Sequence, residues 1–226
     1  MKNIFVAISI IFIVAACATT PNPFSQWYTE YYDGYVTPTD SVEVIKPGYE
    51  NVVATRNELY TQGYVLIGET SFNGDYKGES FAVEHAKSVG ADLVVLASKF
   101  TDSTTQTAGF VTNGLILPVT SSQRRYDQGA LYFSKKLEKP RYGFYHEPLS
   151  SEEKQRNEIN YGLKIYVIVN NSPMQSAGAV PGDILLEVNG RKIISVQDIT
   201  TDGDSVVIKV LRNGEIKELP VRFFDY

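Results

Sequence analysis

The chain is poor in the residues that most chemistry uses. One cysteine, Cys17, and two histidines, His85 and His146, occur among its 226 residues. A lone cysteine gives no disulfide and no thiolate metal site. Two histidines cannot supply a conventional zinc site without carboxylates at ligand spacing, which no stretch shows. Basic residues are few and scattered, with 21 Lys and Arg against 26 Asp and Glu and a net charge of -5. Phosphate contacts need clustered cations, so nucleic acid is not an expected partner. Beyond residue 16 no apolar run is long enough to span a bilayer as a helix. Missing too are a Gly-x-Ser-x-Gly elbow, a Gly-Asn-Ser-Gly-Gly run and a His-Glu-x-x-His pair, arrangements that mark common hydrolases. No catalytic residue, metal or cofactor is therefore expected.

What is present begins at the amino terminus. Lys2 precedes an uncharged stretch from Ile4 to Ala16, too short for a permanent transmembrane helix and suited to a secretory signal segment. At its end Val14-Ala15-Ala16-Cys17 resembles the lipobox of bacterial lipoproteins. The resemblance implies that residues 1–16 are a signal peptide cut before Cys17, and that Cys17 is acylated on its thiol and on the new amino terminus. Several acyl chains anchor a protein stably without a spanning helix. With Ala18 rather than an aspartate next, the resemblance points to the cell envelope, at the outer membrane, with the body facing the periplasm. Loss of Lys2 leaves the mature chain one unit more acidic.

Residues 17–41 read as the lipidated cysteine followed by an aromatic-rich tether. Trp27, Tyr28, Tyr31, Tyr32 and Tyr35 crowd a segment otherwise rich in Pro, Ser and Thr. Trp27, Tyr31 and Tyr35 also match one face of a short helix, so the rings either rest at the membrane interface or pack on the first domain. Residues 42–139 read as a small α/β domain. Gly63 to Gly68 is a buried strand, Glu79 to Val89 a helix with Phe81, Ala82, Ala86 and Val89 toward the core, and Ala91 to Leu96 a second buried strand. Gly90 stops the helix. This strand, helix, strand unit favours a right-handed crossover. Thr101 to Ser122, heavy in Thr and Ser with glycine and proline breaks, reads as a long hairpin connection or mobile loop. Arg124 to Lys136 resumes as a strand. The run from Tyr64 to Lys99 resembles a small domain of bacterial envelope proteins with no established activity. Ser71, His85 and Asp92 supply the letters of a triad without any oxyanion-hole setting.

The last third, residues 140–226, carries several signals at fixed mutual distances. Ser172 precedes Pro173 at the start of a short helix, Gly178 can end that helix, Pro181-Gly182-Asp183 makes a turn, and Asn189-Gly190 suits a type I′ hairpin. Val206 to Leu211 and Glu218 to Phe223 form a last hairpin around Asn213-Gly214 by the same logic. This set, on residues 162–193, resembles a bacterial PDZ domain. Upstream, Arg141-Tyr142-Gly143-Phe144-Tyr145 resembles the opening of PDZ domains found behind periplasmic serine proteases. The resemblance implies that Tyr142, Gly143 and Phe144 form a loop whose backbone N–H groups receive a peptide carboxylate. It makes Phe144 to His146, with Tyr145 between them, the edge strand to which a peptide adds. Gly143 otherwise simply turns the chain between two domains. One departure from the pattern is visible: only Ser195 to Ser205 lie between Ile194 and the next strand, so the groove's helical wall, near Val196 to Thr200, is little more than one turn.

The expected fold is therefore α+β, a small α/β domain followed by a β-rich PDZ-like domain with a shortened second helix. The expected function is that of a lipid-anchored, non-catalytic adaptor or assembly factor for a protein or peptide partner. Two alternatives stand beside it. One is a structural lipoprotein whose PDZ-like domain binds no peptide. The other is an enzyme or small-ligand protein with its site near Ser71, His85 and the Thr/Ser-rich stretch.

Overall fold

The computed structural model describes residues 21–34, 36–112, 115–199 and 203–226, with backbone only for residues 106, 108–112 and 115–119. The expected signal segment, Cys17, Tyr35 and Thr200 lie outside the described residues. Two sheets, each with its own core, make up the molecule.

The first unit starts earlier than the sequence suggests. Asn22 caps α1 (Pro23–Gln26) through its side chain, with proline at the first helical position. β1 (Tyr28–Glu30) then pairs antiparallel with β3 (Val65–Gly74). Within the stretch expected as tether, Pro23–Gln26 thus form a helix and Tyr28–Glu30 a strand of the sheet. The cause is apolar: the Phe24 side chain is fully buried, and the Tyr28 ring lies flat on Gly68, where any Cβ would collide with it. β2 (Glu43–Ile45) runs parallel to β4 (Leu93–Thr112). Between them in sequence lies α2 (Val52–Thr61), a helix with no clear apolar stripe that buries only Leu59 and Tyr60.

α3 (Glu79–Ser88) joins β3 to β4, as the strand, helix, strand pattern predicts. The two strands are not neighbours, however. β5 (Leu115–Ser134) lies between them, giving the order β1-β3-β5-β4-β2. The Thr/Ser-rich stretch continues β4 and β5 as a paired ladder up to Thr112 opposite Leu115. Threonine favours extended backbone, and Gly109 faces Pro118 across the ladder, so two breaks share one register position.

The second unit is the more legible one. Its sheet runs β11 (Glu215–Arg222), β10 (Ser205–Arg212), β8 (Ile184–Val188), β7 (Leu163–Ile168), β6 (Phe144–Pro148), with β9 (Arg191–Lys192) paired to β8. α4 (Ser151–Arg156) begins with a capping box between Ser150 and Glu153, and α5 (Pro173–Ser176) is capped by Ser172. Asn189 and Asn213 adopt positive φ beside their glycines, as the two hairpins require. Asp183, fully buried, binds Arg212 through two contacts of 2.7 Å and accepts the Val180 N–H at 3.0 Å.

The units meet in a shared cluster. Tyr60 stacks on Tyr145 with ring centroids 3.9 Å apart, and Val167 packs with Leu59, Leu93 and Phe133. Asn170 N–H donates to Thr61 O at 2.8 Å across the same boundary.

Candidate functional site

β6 is the last strand of its sheet and pairs only with β7 among the described residues. The Val169 N–H to Gly143 O bond of 2.8 Å sets the alternation. Phe144 and Ile168 are therefore a non-hydrogen-bonded pair, and the Phe144 N–H and C=O face the open edge. A cleft of about 350 Å³ lies along that edge, lined by Pro140, Arg141, Tyr142, Phe144, Tyr145, His146, Val196 and Ile199.

The loop that enters β6 is held from beneath. Gly143 has φ of +77°, and its N–H donates to Pro140 O at 2.7 Å. Met174 N–H donates to Tyr142 O at 3.1 Å, and the buried Ser172 hydroxyl donates to Gly143 O at 3.2 Å. The loop therefore spends one amide, that of Gly143, on its own turn. Tyr142 packs edge-on to Phe144 and to Phe223 at 5.7 and 4.8 Å, and burial pushes its hydroxyl up to about 12, so it stays neutral. Arg141 contributes the positive charge, its guanidinium 4.5 Å from the Phe223 ring centroid and donating to Gly203 O at 2.7 Å.

Of the sequence-expected residues, Tyr142, Phe144, Tyr145 and His146 all line the cleft; Tyr142 and Phe144 also belong to the domain core, and the Tyr145 ring is stacked on Tyr60 at the boundary between units. His146 Nδ1 has no hydrogen-bond partner among the described residues, and burial holds its pKa below the ordinary 6.5. The far wall is a single 3-10 turn, Val196–Asp198, where a fuller helix would deepen the cleft. Asp198 accepts the Ile194 and Ser195 N–H groups at 2.9 and 2.8 Å, which fixes the turn and lowers the carboxyl pKa. Val196 is half-exposed.

The triad letters are not assembled. His85 is buried between the Tyr28 and Tyr132 rings, at 4.6 and 5.1 Å, and its Nδ1 lies 3.4 Å from Ser88 Oγ. Asp92 accepts the Lys135 N–H at 3.2 and 3.3 Å, and Ser71 lies exposed on β3. Tyr28, the residue that closes over His85, had no signal in the sequence beyond belonging to an aromatic cluster. Among the described residues no group of His, Cys, Asp and Glu is placed to hold a metal, and no helix is long and apolar enough to cross a membrane.

No family model matches the chain. Two curated relatives do, both described as probable periplasmic serine endoprotease DegP-like. The protein of Chlamydia muridarum is 27% identical over 121 residues, covering 50% of this chain and 24% of its own length. That of Chlamydia trachomatis is 26% identical over the same length. The C-terminal domain is PDZ-like. Among solved structures, an HtrA-type protease AlgW with a decapeptide is 21% identical, with 36% of this chain and 28% of that chain covered and a TM-score of 0.32. An HtrA3 PDZ domain bound to a phage-derived ligand is 21% identical, with 36% and 82% covered and a TM-score of 0.33. The chain spans about a quarter of the length of the curated relatives it matches.

Proposed function

We propose that this chain is a cell-envelope protein, anchored through acylated Cys17, whose PDZ-like domain captures an extended segment or chain end of another protein by strand addition to β6. It works as an adaptor or assembly factor and performs no chemistry of its own. The observation that carries this reading is the open edge of β6 beside a cleft that has an arginine at its mouth. Backbone hydrogen bonds supply affinity in this mode, and side-chain pockets supply selectivity. With one wall reduced to a turn, selection among side chains is weak and the partner is recognised chiefly as an extended strand with a free carboxylate. An envelope location fits the periplasmic relatives, and the lipobox-like motif supplies the anchor.

A second reading has its own support. Tyr145 is committed to the Tyr60 stack, so β6 also serves as a structural hinge between the units. In that reading the domain is a rigid spacer.

Binding of free-acid and amidated peptide libraries to the whole protein separates the two. Adaptor function predicts a preference for the free carboxylate that Arg141→Glu reduces and Val196→Asp weakens. Equal, negligible binding of both libraries by the unaltered protein leaves the spacer reading. Metabolic labelling with palmitate, compared with a Cys17→Ser chain, tests the anchor separately.

A further inference from the structure

Among the described residues, the ribbon made by the outer parts of β4 and β5 contributes nothing to either core or to the peptide cleft. β3 leaves β5 at Tyr126 and β2 leaves β4 at Val95, so beyond Phe100 neither strand has a second neighbour among the described residues. The two remain paired with each other as far as Thr112 and Leu115. From Phe100 to Thr112 the ribbon projects about 40 Å, at roughly 3.3 Å per residue. An isolated two-stranded ribbon is marginal in water. Natural edge strands are ordinarily guarded by charge.

This ribbon has no such guard. No Asp, Glu, Lys or Arg occurs from Ser103 to Gln123. Its composition is graded along its length. The stem, residues 103–107 and 120–123, is Ser, Thr and Gln, whereas the outer levels, 108–112 and 115–119, are Ala, Gly, Phe, Val, Leu, Ile and Pro with the single polar residue Thr112, and Asn113-Gly114 follow it in the sequence. Phe110 stands opposite Leu117 and Val111 opposite Ile116. Successive cross-strand pairs belong to opposite faces of a ribbon, so both faces carry apolar residues from Ala108 to Val111 and from Leu115 to Val119. A ribbon that docks on a protein needs one apolar face along its length. A ribbon apolar on both faces at one end suits a wedge entering a uniformly apolar medium.

The chain enters the fold at the same end of the sheet. Phe24 of α1 packs on Phe72 at 5.1 Å, Trp27 lies beside residues 71–75, and Gly74 pairs with Tyr126 at the root of the ribbon. Cys17 precedes Asn22 by five residues, a reach of at most about 18 Å and less than half the ribbon's length. A protein tethered that closely, ribbon foremost, drives the tip past the bilayer surface. This last point rests on the acylation of Cys17 proposed above; the missing charge and the apolar gradient do not.

We propose that the tip of the β4–β5 ribbon inserts into the outer layer of a phospholipid bilayer as a second membrane contact. Its open edges set the depth. Unpaired backbone groups cannot enter the hydrocarbon interior, so the tip stops about 5–10 Å below the surface, at the boundary of headgroups and acyl chains, with the polar stem above it.

A full-length chain carrying Trp27→Phe and Phe110→Trp has one tryptophan, at the tip. In phosphatidylethanolamine–phosphatidylglycerol vesicles its emission should shift to the blue and be quenched by lipids brominated high on the acyl chain more than by lipids brominated near the chain end. Adding Leu117→Asp, checked for folding by circular dichroism, should lower the inserted fraction at least about tenfold. An unshifted emission that neither lipid quenches overturns the proposal. So does quenching that appears only with cross-linking between copies and release of entrapped dye, which marks a spanning barrel built from several ribbons. Vesicle flotation reads the anchor independently. Protein that floats with an unquenched tip keeps the acylation and removes the wedge, whereas tip quenching in a Cys17→Ser chain upholds the wedge without the anchor.

Discussion

A Cβ on Gly143 would lie 2.1 Å from Ser172 Cβ, at a φ of +77° that side chains rarely adopt. The glycine therefore serves two needs at once, a left-handed turn and close approach to the residue that caps α5. Gly143→Ala should destabilise the protein by about 2 kcal/mol or more, from αL strain and the clash with Ser172, measured by urea denaturation. The two histidines set the acid response. Burial depresses both His85 and His146 below the ordinary 6.5, so the unfolded chain takes up their protons at higher pH than the folded protein does. Stability is therefore complete above pH 6.5 and falls as pH drops through that value. Thermal midpoints at pH 7.5 and 5.5 should differ less in His85→Phe than in the natural protein. Of these residues, Gly143 was readable from its motif. The burial of His85 was not, because Tyr28, which covers it, comes from a segment whose pairing only the folded sheet reveals.

At the scale of elements, the contrast between α5 and α2 is instructive. Ser172-Pro173 and Gly178 announce α5 by local chemistry, and the structure places the helix there. α2 has neither a side-chain cap nor an apolar stripe, and it is held by Leu59 and Tyr60 against residues distant in sequence. The turn before β8 depends on the Asp183–Arg212 pair; Asp183→Ala leaves the partly exposed arginine and the Val180 N–H without their acceptor and should cost about 2 kcal/mol, again by denaturation. Within β4 and β5 the ladder is supported on both sides only near its root. Hydrogen exchange of the protein in solution should show slow amides at 93–97 and 130–134 and fast ones at 103–107 and 120–123, since stability follows packing.

Across the whole molecule, the Tyr60–Tyr145 stack and the Thr61–Asn170 bond tie the first unit to the strand that borders the cleft. The cleft is thus mechanically coupled to the first unit. A double-mutant cycle on Tyr60→Ala and Tyr145→Ala should give a coupling of about 0.5–1.5 kcal/mol. Loss of that contact should also split a single thermal transition into two, followed by calorimetry.

Local signals alone determined the C-terminal sheet: caps, positive-φ asparagines and hairpin turns act over a few residues, so each is written in the sequence beside the element it shapes. The same local logic gave the strand, helix, strand core of the first unit and the shortness of the groove's far wall. Tertiary structure decided the rest. It inserted β5 between β3 and β4, packed α1 on the first core and drew Tyr28–Glu30 into its sheet, and stacked Tyr145, at the border of the cleft, on Tyr60. Those outcomes depend on which distant surfaces bury each other, and no window of neighbouring residues records that choice.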